Sequence, residues 1–443
     1  MSISEFSVGI YTLGCKVNQY ESEVIAEAFA KNGARILPAL ECCDVYVINT
    51  CTVTAESDRK ARQFIRRAIR QNPSAYVLVI GCFSQVSPDE VAKIEGVDYI
   101  AGNANKLNVI KAALTLLKQG KKNATPVIDA SAPESGGFEQ MRITRFDRTR
   151  AYVKIEDGCE NKCAYCVIPS ARGSVRSKAP DEIIKEVRGL VDGGCPEIVL
   201  TGIETASYGK DLSDYALADL LCEIDRIPNI GRVRLGSLDP SLMRQDFVDR
   251  IASLSSLAPH FHLSMQSASD KVLALMKRKY NRRMALEGME RLRKAFPSVQ
   301  FTTDMIVGFP QETEEDFAQS LSFIKEAGFL MVHTFPYSKR KGTVAATMSG
   351  QIEESVKHER VASLLAAAAK VRKQILDRMN GKTVEVLFET YENQIAYGHT
   401  AEFIEIAVPS NRPLCGSFES VLISSNDGTR CFSTFIDHDK GME

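Results

Sequence analysis

The period of hydrophobic and polar positions changes several times along the chain, and these changes predict its elements. Runs rich in β-branched residues recur near the amino terminus: SVGIYTL, VYVIN, YVLVIG and VDYIA. Between them, SEVIAEAFAKNG and RKARQFIRRAIRQ place apolar residues every three or four positions, as amphipathic helices do. Strands that alternate with helices are typical of a parallel α/β domain, which we assign to residues 1–120.

A segment rich in Gly, Ser, Pro and Ala then predicts a linker over residues 121–144. Residues 145–379 resume the alternation, with apolar runs AYVKIED, EIVLTGI, RVRLGSL, HFHLSMQ, FTTDMIVGF and FLMVHTFPY. Six βα units predict a partial barrel, because a closed one needs eight. A long helix ends at Asn380 and Gly381, and the alternation after it predicts a small all-β domain over residues 380–443.

Composition narrows the class of protein. A chain of 443 residues with 44% hydrophobic and 25% charged residues is globular and long enough for several domains. We find no membrane-spanning run and no signal peptide at the amino terminus, so we expect a cytoplasmic protein with no membrane partner. In that reducing compartment, the 12 cysteines are better candidates for metal ligands or catalysts than for disulfides.

The densest cysteine cluster lies in the stretch DGCENKCAYCVIPSARG, which contains Cys159, Cys163 and Cys166. Three thiolates can hold three irons of a [4Fe-4S] cluster, which normally takes four cysteines, so one iron would stay open to a small molecule. The loop follows the first predicted barrel strand, at the end where βα barrels carry their chemistry. A zinc site completed by a distant fourth ligand is the alternative.

A second set of cysteines is dispersed in sequence. Cys15, Cys51 and Cys82 each follow a predicted parallel strand of the first domain. The carboxyl ends of such strands line one crevice, so the three thiols are expected to converge on a second cluster with an open iron. The alternative is three unrelated core cysteines. The remaining six cysteines show no comparable placement, and we interpret them as structural.

These motifs resemble a known family. CENKCAYC resembles the C-x3-C-x2-C signature of the radical S-adenosylmethionine superfamily, and the three-part layout is similar to that of the methylthiotransferases. TLGCKVNQYESE, NTCTVT and GCFSQ resemble the amino-terminal domain of that family. The context Lys16-Val17-Asn18-Gln19 and the stretch VIPSARGSVRS resemble the branch that acts on N6-threonylcarbamoyladenosine (t6A) in tRNA.

The resemblance implies a fold, cofactors and site residues. It implies a parallel α/β amino-terminal domain, a partial (β/α)6 radical SAM barrel and an OB-like TRAM domain at the carboxyl end. Its cofactors would be two [4Fe-4S] clusters and S-adenosylmethionine, which serves as both methyl donor and radical source. The implied cofactor-binding residues are Tyr165, Glu204, Ser237, Gln266, Asp304 and Val307.

The implied reaction is methylthiolation of C2 of t6A next to the anticodon. The implied partners are tRNA and an electron donor such as flavodoxin or ferredoxin. Three alternatives stay open: an isopentenyladenosine substrate, a ribosomal-protein aspartate substrate, and a non-catalytic iron–sulfur RNA-binding protein. A deletion strain's modified nucleosides would separate the substrates.

The charge pattern says little about RNA binding, because the formal net charge is only -1 and the predicted all-β domain is acidic. Binding to tRNA would therefore depend on local basic patches. The candidates are Arg62, Arg66 and Arg70; Arg142, Arg145, Arg148 and Arg150; and Lys277, Arg278, Lys279, Arg282 and Arg283. A solvated charged face is the alternative interpretation of each.

Overall fold

The computed structural model describes residues 5–133, 137–146 and 148–436. The first part of the chain alternates strands and helices as the pattern predicts. Its elements are β1 Phe6–Thr12, α1 Lys16–Lys31, β2 Ala34–Leu37, β3 Val45–Thr50, α2 Ala55–Gln71, β4 Tyr76–Gly81, α3 Cys82–Val86, α4 Pro88–Ala92, β5 Tyr99–Ala101, α5 Asn108–Gln119 and β6 Val127–Asp129.

These strands form one parallel sheet in the order β2-β1-β3-β4-β5-β6. β3 and β4 are buried along their whole length, as expected for central strands covered by helices on both faces. β6 lies inside the predicted linker and pairs with β5, so the sheet extends beyond residue 120. Residues 134–136 of that linker lie outside the described part of the chain.

The middle of the chain forms the predicted partial barrel. Its elements are β7 Arg150–Lys154, β8 Glu156–Asp157, α6 Ile168–Arg172, β9 Arg176–Ser177, α7 Pro180–Asp192, β10 Glu197–Thr201, α8 Leu217–Asp225, β11 Arg232–Leu235, β12 Ser237–Leu238, α9 Gln245–Ile251, β13 His260–Gln266, α10 Asp270–Leu275, α11 Arg282–Ala295, β14 Gln300–Val307, α12 Glu314–Ala327, β15 Met331–Pro336 and α13 Glu354–Asp377.

The barrel strands are parallel and fall into two runs, β7-β10-β11 and β12-β13-β14-β15. Only Gly236 separates β11 from β12, so the two runs continue one curved sheet of six strand positions. Along β13, buried residues alternate with partly exposed ones. The buried face packs on the helices, and the partly exposed face lines the inside of the barrel.

The end of the chain forms a closed barrel in the order β16-β17-β18-β20-β19. Its strands are β16 Thr383–Glu392, β17 Ile395–His399, β18 Glu405–Pro409, β19 Phe418–Asn426 and β20 Cys431–Phe435. A small all-β domain of the TRAM type is therefore confirmed. No helix within the described ranges is long and apolar enough to cross a membrane.

This small barrel covers the mouth at the amino-terminal ends of the larger barrel's strands. Arg232 donates to the His399 carbonyl at 3.3 Å, and Arg234 donates to the Ala401 carbonyl at 3.1 Å. The His260 ring stacks on Phe403 with a centroid distance of 4.8 Å. That mouth is therefore closed by protein, which leaves the opposite mouth as the route to the interior.

Candidate active site

The dispersed cysteines meet at one edge of the first sheet. Cys15 is the residue before α1, Cys51 follows β3, and Cys82 begins α3 directly after β4. Because β1, β3 and β4 are neighbours in the sheet, their carboxyl ends lie side by side. The backbones approach so closely that a Cβ atom on Gly14 would lie 2.9 Å from the Cys51 Sγ.

Burial disfavours the thiolate form of Cys15 and Cys51. It raises the pKa of Cys51 to about 12, and the neighbouring Cys82 adds to this effect. Burial also raises the pKa of Cys15, whereas the Arg172 guanidinium acts in the opposite direction. Cys15 nevertheless has exposed surface. Iron bound to each sulfur would supply the positive charge that a buried thiolate needs, so this donor set fits a cluster.

The second set, in the loop after β8, has the same character. Cys159, Cys163 and Cys166 are partly exposed, and the charges of the first two affect the third. Burial raises the pKa of Cys159 to about 11 and that of Cys166 to about 12. The Cys159 amide donates to the Gly173 carbonyl at 3.0 Å, which closes the loop on the turn after α6. This donor set also fits an iron–sulfur cluster.

Arg278 is a neighbour of this loop that the sequence analysis assigned to a basic surface patch. The structure shows that assignment to be wrong for Arg278, because its side chain is only 6% exposed. It donates to the Cys163 Sγ at 3.1 Å and to the Asp239 carboxylate at 2.7 Å. Such a donor would stabilise negative charge on the sulfur. Because Arg278 lies in a run of basic residues, nothing in the sequence indicated that it would contact a cysteine.

Two predicted cofactor contacts lie beside the same loop. Glu204 accepts a hydrogen bond from Asn161 Nδ2 at 3.3 Å. Burial raises the pKa of Glu204 to about 7, and the nearby Asp239 carboxylate adds to the increase. The Tyr165 ring packs against the apolar cluster that contains Phe309. A carboxylate and an aromatic ring therefore flank the three thiols.

The other predicted contacts divide into two groups. Ser237 begins β12, Gln266 ends β13 in a left-handed conformation with φ of 62°, and Val307 ends β14. These three lie at or near strand ends, as predicted. Asp304 lies inside β14, where its carboxylate is 3.2 Å from His262 Nε2.

The edges that carry the two cysteine sets face each other. α3, which begins at Cys82, packs on α6, which begins two residues after Cys166. Asn103 Nδ2 lies 3.5 Å from the Cys82 Sγ and donates to the Ala171 carbonyl in α6 at 2.8 Å. One amide side chain thus touches both domains at the point where the two sets approach.

A buried ionic network holds this interface. Glu21 of α1 pairs with Lys154 of the barrel at 2.8 Å, with Arg172 of α6 at 3.0 Å, and with Lys106. Each of these four side chains is at most 3% exposed. Arg172 also donates to Asn18 Oδ1 at 2.6 Å, three residues after Cys15. The network therefore fixes the start of α1, and with it Cys15, against the barrel.

A second contact holds the loop that carries Cys51. Arg340, which follows β15, donates to Thr52 Oγ1 at 2.7 Å and to the Asp58 carboxylate at 2.6 Å. Ser338 Oγ accepts a hydrogen bond from the Ala55 amide at 3.0 Å. Residues from the beginning and from the end of the barrel sequence thus hold the first domain over the mouth at the carboxyl ends of the barrel strands.

The structure divides the basic residues into internal and exposed groups. Arg150 pairs with Glu197 at 2.6 Å and with Glu389, so its assignment to a surface patch is wrong. Arg282 pairs with Glu326 at 2.5 Å. The exposed members are Arg66, Arg70, Arg142, Arg145, Arg148, Lys277, Lys279 and Arg283.

Comparisons with known proteins agree with this architecture. Residues 153–324 match the model of the radical SAM superfamily, and residues 7–102 match the uncharacterized protein family UPF0004. A radical S-adenosylmethionine methyltransferase, TsrM, from Kitasatospora setae has the same fold. Its TM-score is 0.57 at 15% identity, over 78% of this chain and 77% of that one.

Several curated relatives match nearly the whole chain. The threonylcarbamoyladenosine tRNA methylthiotransferase MtaB of Bacillus subtilis is 40% identical over 94% of this chain and 93% of its own length. The protein of that name from Thermotoga maritima is 38% identical over 95% and 94%. A tRNA-2-methylthio-N(6)-dimethylallyladenosine synthase from Thermoanaerobacter pseudethanolicus is 35% identical over 86% and 81%.

The three-cysteine loop lies within the matched barrel, and the chain is accordingly a radical S-adenosylmethionine enzyme that uses this cofactor and [4Fe-4S] clusters. The identity to the curated relatives extends through all three parts of the chain. The chain belongs to the methylthiotransferase family, in which a second cluster fits the cysteines of the first domain. The alternative of a non-catalytic RNA-binding protein is thereby wrong.

Proposed function

We propose that this chain methylthiolates C2 of N6-threonylcarbamoyladenosine next to the anticodon of tRNA. The observation that carries the reaction type is the packing of α3 on α6, which brings the two three-cysteine sets to facing edges of two domains. The substrate is supported by the relatives of that name, which are 40% and 38% identical to this chain. The dimethylallyladenosine relative is 35% identical over a smaller share of the chain.

Each cysteine set has a separate role in this proposal. Cys159, Cys163 and Cys166 would hold the cluster that binds S-adenosylmethionine, and Cys15, Cys51 and Cys82 would hold a second cluster that supports the sulfur chemistry. When bound, the cofactor supplies a methyl group and a 5′-deoxyadenosyl radical. Arg278 donates to Cys163 and so stabilises the negative charge of its sulfur.

The surrounding residues bind the cofactor and exclude water. The Glu204 carboxylate binds the cofactor's amino group, and the Tyr165 ring packs beside its adenine. Ser237, Gln266, Asp304 and the backbone near Val307 bind the remaining parts. The small β-barrel covers one mouth of the large barrel, and the first domain covers the other. A radical needs such a closed cavity, because solvent would quench it.

The proposed partners follow from the substrate. The exposed arginines of α2, Arg66 and Arg70, and those before β7 offer positive charge to the tRNA backbone. An electron donor such as flavodoxin or ferredoxin would reduce the cluster in the barrel. A tRNA substrate would place the enzyme in the cytoplasm.

Nucleoside analysis of total tRNA tests the proposal. A deletion strain should lose methylthio-t6A and accumulate t6A, and a plasmid that carries the intact gene should restore the product. A plasmid with the Cys159→Ala variant should not restore it. Loss of the methylthio derivative of isopentenyladenosine, with t6A modification intact, would contradict the proposed substrate.

A further inference from the structure

The turn after α10 is bonded to the loop that carries the barrel cysteines. Shortly after α10, Lys277 adopts a left-handed conformation with φ of 60°, and the chain reverses there. The Met276 carbonyl accepts a hydrogen bond from the Ala164 amide at 3.0 Å. This bond joins the turn to the residue that follows Cys163. The next side chain after the reversal, Arg278, is thereby brought to the cysteine loop.

The three barrel sulfurs receive two kinds of hydrogen-bond donor. Cys159 and Cys166 each accept a hydrogen bond from the backbone amide two residues further along the chain. The Cys163 Sγ instead accepts a hydrogen bond from the Arg278 side chain at 3.1 Å. A backbone donor is present whichever side chain the residue carries, except in proline. The donor to Cys163, in contrast, depends on the identity of one distant residue.

The charge of Arg278 is balanced, and its position is fixed. It donates to the Asp239 carboxylate at 2.7 Å, and the two side chains are only 6% and 8% exposed. It also donates to the Ser264 carbonyl at 3.1 Å. Glu204 is a second carboxylate that interacts with it electrostatically. What reaches Cys163 is therefore a directed N–H donor in a site that largely excludes water, and not a free cation.

A donor to a cysteine sulfur acts on the reduction potential of an iron–sulfur cluster. The reduced cluster has one more negative charge than the oxidised cluster, and the thiolate sulfurs share that charge. A hydrogen bond to such a sulfur therefore stabilises the reduced form more than the oxidised form, and it raises the reduction potential. Cleavage of S-adenosylmethionine to a radical requires the reduced form.

We propose that Arg278, held in place by Asp239, raises the reduction potential of the barrel cluster through its hydrogen bond to Cys163. One electron passes from the electron donor, a flavodoxin or ferredoxin, to the cluster, and no bond forms or breaks in that step. Arg278 and Asp239 are positioning residues, because they act through the sulfur and not on the substrate. This inference rests on the proposed assignment of the barrel cysteines to a cluster.

Anaerobic redox titration of the reconstituted full-length enzyme tests the proposal, with the reduced clusters followed by electron paramagnetic resonance. The signal that changes when S-adenosylmethionine is added identifies the barrel cluster. In Arg278→Met, the ratio of reduced to oxidised barrel cluster at a fixed potential should fall about tenfold, which corresponds to about 59 mV for one electron. Arg278→Lys keeps the charge and one donor, so it should recover part of that loss.

Changes at Asp239 separate the hydrogen bond from the net charge. Arg278→Met leaves this carboxylate unpaired, and its charge would itself lower the potential. The double variant Arg278→Met/Asp239→Asn removes both charges, and its ratio should still lie below that of wild type because Cys163 has lost its donor. Asp239→Asn alone keeps the donor and removes the balancing charge, so its ratio should rise above wild type.

Lys279→Met is the matched control. This residue is exposed and lies next to Arg278 in sequence, so solvent screens its charge and the ratio should equal that of wild type. Iron and sulfide contents equal to wild type show that each variant is folded and loaded. If Arg278→Met does not take up iron, the opposite shifts expected for Arg278→Lys and Asp239→Asn decide the question.

The outcomes distinguish this inference from its foundation. A wild-type enzyme without any signal that responds to S-adenosylmethionine would refute the assignment of the barrel cysteines. A responsive signal with the wild-type ratio in Arg278→Met and in the double variant would refute only the role of Arg278. An unchanged ratio together with weaker binding of S-adenosylmethionine would also overturn it, and would show that Arg278 binds the cofactor instead.

Discussion

The ionic network at the domain interface allows a quantitative prediction for Glu21→Gln. Burial alone would raise the pKa of Glu21, but Arg172 and the two lysines outweigh it and hold this pKa well below its usual range. The substitution removes the shared partner of three buried cations and leaves Asp157 as the carboxylate that still pairs with two of them. Breaking a buried pair costs about 3–5 kcal/mol.

Because Gln keeps the volume and can still accept a hydrogen bond, we expect a loss of about 3 kcal/mol, at the lower end of that range. With a denaturation slope of about 3 kcal/mol per molar urea, the first unfolding transition should move down by about 1 M. The measurement is anaerobic urea unfolding of the reconstituted enzyme, followed by circular dichroism. A protein with several domains can unfold in steps, so the first transition is the one compared.

Glu56→Gln is the matched control. Glu56 pairs with Arg59 on the surface of α2, and both side chains are more than half exposed. Such a surface pair contributes about 0–1 kcal/mol, so the midpoint should move by about 0.3 M urea or less. A Glu21→Gln midpoint no lower than that of Glu56→Gln would refute the view that this network holds the two domains together.

Three further predictions concern the clusters. Reconstituted wild-type enzyme should hold about eight irons per chain, from two [4Fe-4S] clusters. A content near four with full activity would exclude the second site. The second prediction concerns the barrel cysteines, Cys159, Cys163 and Cys166. Their simultaneous substitution by alanine should abolish cleavage of S-adenosylmethionine to 5′-deoxyadenosine, which is measured by liquid chromatography. Intact cleavage would disprove the assignment of these cysteines to the cluster. The third prediction concerns Cys15, Cys51 and Cys82 of the first domain. The variant with alanine at all three positions should still cleave the cofactor but form no methylthio product, because the sulfur has no iron to bind. Product formation by that variant would show that they are ordinary core cysteines.

The sequence alone determined most of the architecture and the compact cysteine site. The apolar periods predicted the α/β order, the six barrel positions and the small all-β domain, because burial of one face leaves a local trace in every element. The loop with Cys159 could be recognised because its three thiols lie close together in sequence. β6 escaped prediction, since three residues at a sheet edge, two of them exposed, leave too short a pattern.

Contacts between distant segments were decided only by the tertiary structure. The order β1-β3-β4 brings Cys15, Cys51 and Cys82 together, and no local period reports which strands are neighbours. The same limit hid the neighbours of Asp304, because the register that places this residue beside His333 depends on strand pairing. Arg150 and Arg278 show the limit for charge: a basic residue has the same sequence signature in solvent and in a buried ion pair. Only the fold decides which carboxylate or sulfur it meets, since Coulomb energies depend on distance in space and on the surrounding dielectric.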